Sequence, residues 1–215
     1  MISKRLRAII DWIHGSCLAD IGCDHAYVAC QSVLEKKVVK AYACDIALGP
    51  LENAKENISK NHLEDSVTCI LSSGLENVPS DIDCVVIAGM GGKMIQSILE
   101  KAEHIEGIQF LLSPHKDEQI LRKYLHENGF AIVREQIVED DHFYPIIDCK
   151  YSPLQQELNE FEASYGKNIV KNEAYFHYVS FLINKYRGLI EKVPKDKKLY
   201  FQKQIEYLSK EKDCR

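Results

Sequence analysis

Ten consecutive residues, Leu18-Ala19-Asp20-Ile21-Gly22-Cys23-Asp24-His25-Ala26-Tyr27, constrain this chain more than any other stretch. A short apolar run carrying an acid breaks at a glycine, passes two polar residues and enters an amphipathic segment. That order predicts a strand, a tight turn and a helix, with the turn at the carboxyl edge of an open α/β sheet, where ligands bind. The spacing invites comparison with the dinucleotide fingerprint G-x-G-x-x-G. Only its first glycine is present, at Gly22, while Asp24 and Tyr27 occupy the other two places. The second glycine of the fingerprint admits a pyrophosphate, and a carboxylate there repels one. An acid-rich turn suits a cation instead. S-adenosylmethionine carries an ammonium and a sulfonium and no phosphate, and is expected here in place of a nicotinamide dinucleotide.

The rest of the chain repeats the same unit. Leu6, Ile9, Ile10 and Ile13 fall at helical spacing behind Ser3 as N-cap, with Lys4, Arg5 and Arg7 in the opening turn. Those cations read either as a solvated helix start or as contacts to RNA phosphate. Residues 17–21 form the first strand, and residues 26–39 a helix burying Val28, Val33, Leu34 and Val38. A second strand, Val39–Cys44, ends at Asp45, which is placed to take ribose hydroxyls or to cap the helix that Gly49-Pro50 opens. Leu51, Ala54 and Ile58 mark the inner face of that helix. Val67–Leu71 leads into Ser72-Ser73-Gly74-Leu75. Asp83–Ala88 is apolar enough to be covered on both faces. It opens into Gly89-Met90-Gly91-Gly92, a run that is either a simple tight turn or a close approach to ligand. A helix with Ile95, Ile98 and Leu99 inward follows. Gln109–Leu112 runs into Ser113-Pro114-His115. Asp117 caps a helix through Asn128, Gly129 stops it, and Phe130–Val138 and Phe143–Cys149 close the series. The expectation is an α/β fold: a doubly wound, seven-stranded Rossmann-like sheet with one hairpin edge.

From Tyr151 the pattern becomes helical throughout: Leu154, Leu158, Phe161 and Tyr165, then Phe176, Val179, Ile183, Tyr186 and Ile190, then a break at Pro194. The lysine-rich run Lys195–Lys203 leads into a last helix, so an antiparallel pair is expected. Two domains follow, residues 1–150 for the cofactor and 151–215 as a helical appendage. Charge divides the same way. Residues 1–150 hold 15 Lys and Arg against 23 Asp and Glu, or −8, and residues 151–215 hold 12 against 9, or +3. The basic tail, with Lys195, Lys197 and Lys198, is the expected RNA clamp. The eight cysteines form no C-x-x-C pair and read as buried small hydrophobes. The dispersed histidines offer no metal-ligand spacing, so no metal is expected. No apolar run is long enough to span a membrane, and the opening residues carry no signal-like block; a cytoplasmic protein, a monomer in the simplest case, is expected.

The string Ser3-Lys4-Arg5-Leu6, then Asp20-Ile21-Gly22-Cys23-Asp24-His25-Ala26-Tyr27, then Ala88-Gly89-Met90-Gly91-Gly92, with Gly129-Phe130 and Tyr144-Pro145-Ile146-Ile147, resembles the bacterial tRNA adenine N1-methyltransferases that act on adenosine 22 of the D-arm. The resemblance spans about the first 150 residues, and the helical tail agrees in kind. It implies a cofactor wall of Asp20, Gly22, Asp24 and His25, with Asp45 and Ile46 at the ribose and adenine. It places Gly89, Met90 and Gly91 beside the methyl group, with Ser73 and Gly74 near the adenine. Two places depart from the family pattern: Ser73 stands where an acid before Gly-Leu is usual, and Ser113-Pro114-His115 replaces a Gln-Pro-Asn-like turn.

Adenine N1 already has a lone pair, so the implied reaction needs alignment more than chemistry. The base must leave its stack. Asp24 would favour the positive charge that develops, Met90 would flank the methyl group, and His25 or His115 would meet the base edge or merely order its turn. Two other readings stay open: a methyltransferase for a small molecule or protein, and an RNA-binding homologue with altered catalysis.

Overall fold

A computed structural model of the chain describes residues 2–152, 154 and 157–213; Cys214, one of the expected buried cysteines, lies outside them. Seven strands form one sheet in the order β3-β2-β1-β4-β5-β7-β6. Strands β1 (Cys17–Ile21), β2 (Lys40–Asp45), β3 (Val67–Leu71), β4 (Cys84–Met90) and β5 (Gln109–Pro114) are parallel. The hairpin of β6 (Phe130–Glu139) and β7 (Phe143–Tyr151) closes the far edge, with β7 antiparallel to β5. Helices α1 (Lys4–Trp12), α2 (Tyr27–Leu34) and α3 (Leu48–Lys60) cover one face, and α4 (Gly92–Leu99) and α5 (Glu118–Glu127) the other. Strand β1 is buried throughout and β4 over Cys84–Ile87, as their unbroken apolar runs require.

Some of the local predictions hold and others shift. Ser3 Oγ accepts the Leu6 N–H at 3.3 Å and caps α1. The segment 26–39 gives a shorter helix than expected, because Lys36 turns into the left-handed region and Leu34, expected inside, is 47% exposed. Strand β4 continues through Gly89 and Met90 instead of stopping at Ala88. Pro50 is the third residue of α3, still in the first turn, where a missing N–H costs no hydrogen bond. Asp117 precedes α5 but is itself left-handed and makes no side-chain cap.

The helical tail packs on the hairpin edge. Leu154 and Leu158 precede its first helix: α6 spans Glu160–Tyr165 and starts at a capping box between Asn159 and Glu162. The long helices α7 (Glu173–Ile190) and α8 (Lys195–Asp213) form the expected antiparallel pair, and the lysine-rich run is itself the start of α8. Their core of Tyr165, Tyr175, Phe176, Val179, Leu182, Ile183 and Leu208 includes Ile137 of β6, so the tail shares a core with the sheet. The Arg122–Glu135 ion pair, buried at this seam, also holds α6 through Arg122 Nη1 and the Ala163 carbonyl at 3.1 Å.

Candidate active site

A cleft of about 830 Å³ opens at the carboxyl ends of β1, β2 and β4. The turn after β1 is its floor. Gly22 has φ +74°, and both Gly22 and Cys23 donate their N–H to the Cys44 carbonyl, at 2.8 and 3.1 Å. A Cβ on Gly22 would lie 2.2 Å from Met90 Cε, so a bare backbone is what lets Met90 close over this turn. Gly89, with φ +80°, leaves a second bare stretch of backbone opposite. Asp24 and Ala26 also take left-handed backbone, a conformation that costs a non-glycine residue of order 1–3 kcal/mol and clusters at binding turns. Asn57 of α3 pins the turn by donating to the His25 carbonyl at 2.8 Å.

Of the residues expected from the sequence, Gly22, Asp45, Ile46, Ser73, Gly74, Gly89, Met90, Gly91 and His115 line this cleft. Asp45 accepts the Ala47 N–H at 3.0 Å through Oδ1, and its other oxygen has no partner among the described residues. Asp20, Asp24 and His25 are not on the lining. Asp20 is buried beneath the turn, where its Oδ2 accepts the Ala29 N–H at 3.3 Å. Burial pushes its carboxyl up to about 7; the Ala29 hydrogen bond opposes this and the nearby Asp45 charge adds to it. Asp24 is exposed and His25 half-buried, with His25 Nε2 3.7 Å from Asp24 Oδ2 and its ring tilted against Tyr27.

Ile21, Ser72, Lys93, Met94, Ser97, Ile98, Lys101, Lys116 and Asp117 also line the cleft and were not expected there from the sequence. The available signal was position: Lys93 and Lys116 follow directly on the glycine run of β4 and the Ser-Pro-His end of β5. Lys101 is paired with Glu76 at 3.4 Å, whereas Lys93 and Lys116 have no ion pair among the described residues.

Beside Gly89, which lines the cleft, the start of α1 meets the β6–β7 hairpin. The Lys4 N–H donates to Asp140 Oδ2 at 3.1 Å, which ties the helix to the hairpin tip. The Arg5 guanidinium lies 4.8 Å over the Tyr144 ring. Arg7 is turned away and spent: its guanidinium bonds Glu35 at 2.8 Å and Asp11 at 3.1 Å. The start of α7 is tied to the same hairpin by His177 and Glu139 at 2.6 Å, and Tyr178 and Phe181 pack on Phe143. The remaining turns to Ile190 run roughly 14 Å beyond Phe181, and Lys195, Lys197 and Lys198 follow in the first turn of α8.

Residues 2–147 match the family described as a methyltransferase domain. The chain is 34% identical over 168 residues to the tRNA (adenine(22)-N(1))-methyltransferase of Bacillus subtilis (strain 168), covering 76% of this chain and 68% of that protein. This chain belongs to that family. Within it, the solved structure of M. capricolum TrmK in complex with the cofactor product S-adenosyl-homocysteine is 30% identical, with TM-score 0.84 over 99% of this chain and 98% of that one. A Streptococcus pneumoniae crystal structure in complex with S-adenosyl-L-methionine is 26% identical, with TM-score 0.85 over 98% and 99% of the two chains. Both extend through the helical tail, so the tail is part of the family fold.

The cleft of this chain fits S-adenosylmethionine on its own chemistry. Bare glycine backbone forms its floor and a half-free carboxylate ends β2. Ile46, Met94 and Ile98 supply apolar surface to its lining. The acids at and under the turn oppose a pyrophosphate and suit a cation.

Proposed function

We infer that this protein transfers the methyl group of S-adenosylmethionine to N1 of adenosine 22 in the D-arm of tRNA. The observation that carries the reading is the cleft just described, acid-bearing and glycine-floored, in a member of that family. S-adenosylmethionine supplies a methyl group already activated by its sulfonium. Gly22 and Gly89 let backbone approach it closely, Asp45 takes its ribose hydroxyls, and Ile46 with Ser73 and Gly74 faces its adenine. Met90 and Gly91 flank the methyl end. Asp20 and Asp24 supply negative field below and beside the cation, and His25 or His115 meets the edge of the target base. N1 has no proton to lose, so no residue need act as a base. The protein contributes alignment, exclusion of water and a field suited to a developing cation.

RNA enters past the hairpin, gripped by Lys4 and Arg5 on one side and by Lys195, Lys197 and Lys198 at the start of α8. Residues 1–150 hold the cofactor and share the grip on RNA with residues 151–215. Arg7, tied to Glu35 and Asp11, takes no part. Among the described residues no helix is long and apolar enough to cross a membrane, and a cytoplasmic place beside its tRNA substrate is proposed.

The test is to incubate the purified chain with S-adenosylmethionine and two unmodified tRNA transcripts, one with adenosine at position 22 and one with guanosine. 1-Methyladenosine should appear only in the first. Its absence from both transcripts would reject the reading. A pH–rate profile of Asp24→Asn should keep the parent's shape at reduced turnover, because general-base catalysis would instead remove one limb.

A further inference from the structure

A planar cation lies beside Gly89, one of the residues that line the cleft. The Arg5 guanidinium lies 4.8 Å above the Tyr144 ring. Its Nη2 is 3.9 Å from where a Cβ on Gly89 would stand, so the group lies close both to the ring and to the glycine near the end of β4. Among the described residues no carboxylate lies within ion-pair distance of Arg5, in contrast to Arg7 two positions later. The ring is fixed from behind, because the Tyr144 hydroxyl donates to Asp141 Oδ1 at 2.8 Å and His142 stacks beside it. Ser113, opposite Ala88 in the β4–β5 register, is one residue from Gly89 along the sheet. It is fully buried, and its Oγ has no hydrogen-bond partner among the described residues.

An aromatic face holds a cation through its quadrupole. In the proposed reaction a neutral adenine becomes one: the N1 lone pair forms the new N–C bond as the methyl–sulfur bond breaks, and the positive charge passes from sulfur to the base. A surface that binds a planar cation better than a planar neutral molecule therefore favours the transition state over the ground state.

We propose that the Tyr144 face opposite Gly89 is the stacking site of the target adenine, occupied by the Arg5 guanidinium until the base enters. Tyr144 is then a catalytic residue, touching the base and stabilising its charge as the methyl group arrives. Arg5 is displaced from the ring toward the phosphate of the extruded nucleotide. The base edge reaches the level of Ser113 and gives its hydroxyl the partner it lacks. The inference rests on the methyl-transfer reading above and adds to it the residue that senses charge on the substrate.

The experiment compares two full-length proteins alike in shape: Tyr144→Phe, and the same position carrying pentafluorophenylalanine, whose ring quadrupole is reversed. Single-turnover methyl transfer to the adenosine-22 transcript is measured with saturating S-adenosylmethionine. The fluorinated protein should be slower by about three- to thirtyfold, the rate equivalent of a cation–π contact. Its cofactor affinity should match that of Tyr144→Phe. Arg5→Ala should raise the KM for tRNA and flatten its salt dependence by about one phosphate contact. Equal rates for the two ring variants would overturn the role given to Tyr144. An unchanged KM in Arg5→Ala would overturn the exchange. Failure of the unaltered protein to form 1-methyladenosine would reject the underlying reading, a result separate from either.

Discussion

Asp20 and Glu135 are both buried carboxylates, and the structure treats them in opposite ways. Glu135 on β6 receives two hydrogen bonds from Arg122 Nε, at 3.0 and 2.9 Å, a third contact from Nη2 at 2.8 Å, and the Lys167 N–H at 2.8 Å. Asp20, beneath the cleft, receives one backbone N–H at 3.3 Å and no cation within ion-pair distance among the described residues. The first is a closed arrangement at the seam between sheet and tail. The second is an unfinished one at the cofactor turn. A buried charge with too few partners is costly, and it persists where a cationic ligand can complete it. The seam serves rigidity and the turn serves binding.

The largest effect should come from opening the closed arrangement. Glu135→Ala leaves the Arg122 guanidinium buried without its anion, which costs about 3–5 kcal/mol in comparable cases. Urea denaturation should show that loss, and the double change Arg122→Met with Glu135→Leu should recover most of it. A single-variant loss below about 1 kcal/mol would mean that the pair contributes little and the contrast with Asp20 fails.

Next comes the pH dependence of Asp20. Its folded carboxyl sits at about 7 against an ordinary 3.8, so between those values the folded state binds the proton that the unfolded state has released. Stability from this group is therefore full below about pH 4, falls as pH rises to about 7 and is level above that. At about 1.4 kcal/mol per unit the fall is on the order of 4 kcal/mol. Thermal melts from pH 4.5 to 8 should show it in the parent protein, and Asp20→Asn should remove it. An identical slope in that variant would place the titrating group elsewhere.

Asp45, half-free where Asp20 is covered, should give a smaller effect read in binding rather than folding. Asp45→Ala removes a charged hydrogen-bond acceptor worth roughly 1.5–3 kcal/mol, so calorimetry should find S-adenosylmethionine about ten- to hundredfold weaker. Affinity equal to the parent's would exclude Asp45 from the ribose. Smallest of all is Arg7→Ala, which removes exposed ion pairs to Glu35 and Asp11 and should change stability by no more than about 1 kcal/mol. Filter binding should find tRNA affinity unaltered, and a clear loss would return Arg7 to the RNA surface.

Most of the sheet was legible in the chain because buried parallel strands must be apolar and turns at their ends must be glycine-rich or polar. β1, the start of β4 and the stop at Gly129 fell where those signals stood. Asp45, Gly22, Gly89 and Met90 were legible as lining residues for the same reason: the carboxyl end of a strand in such a sheet faces the ligand. Local backbone was less so, since nothing in the side chains of Ala26, Lys36 or Asp117 announces a left-handed turn. The sequence by itself determined the alternation of strands and helices, the glycine floor, the acid at the end of β2 and the basic tail, because each depends on residues close together in the chain. Only the tertiary structure decided that Arg5 lies over Tyr144 near Gly89 while Arg7 is spent on Glu35, that Arg122 and Glu135 lock the tail to the sheet, and that Tyr144 meets a helix start some 140 residues before it. Those outcomes depend on distant segments meeting, and which partner a charge or a ring finds is fixed by packing.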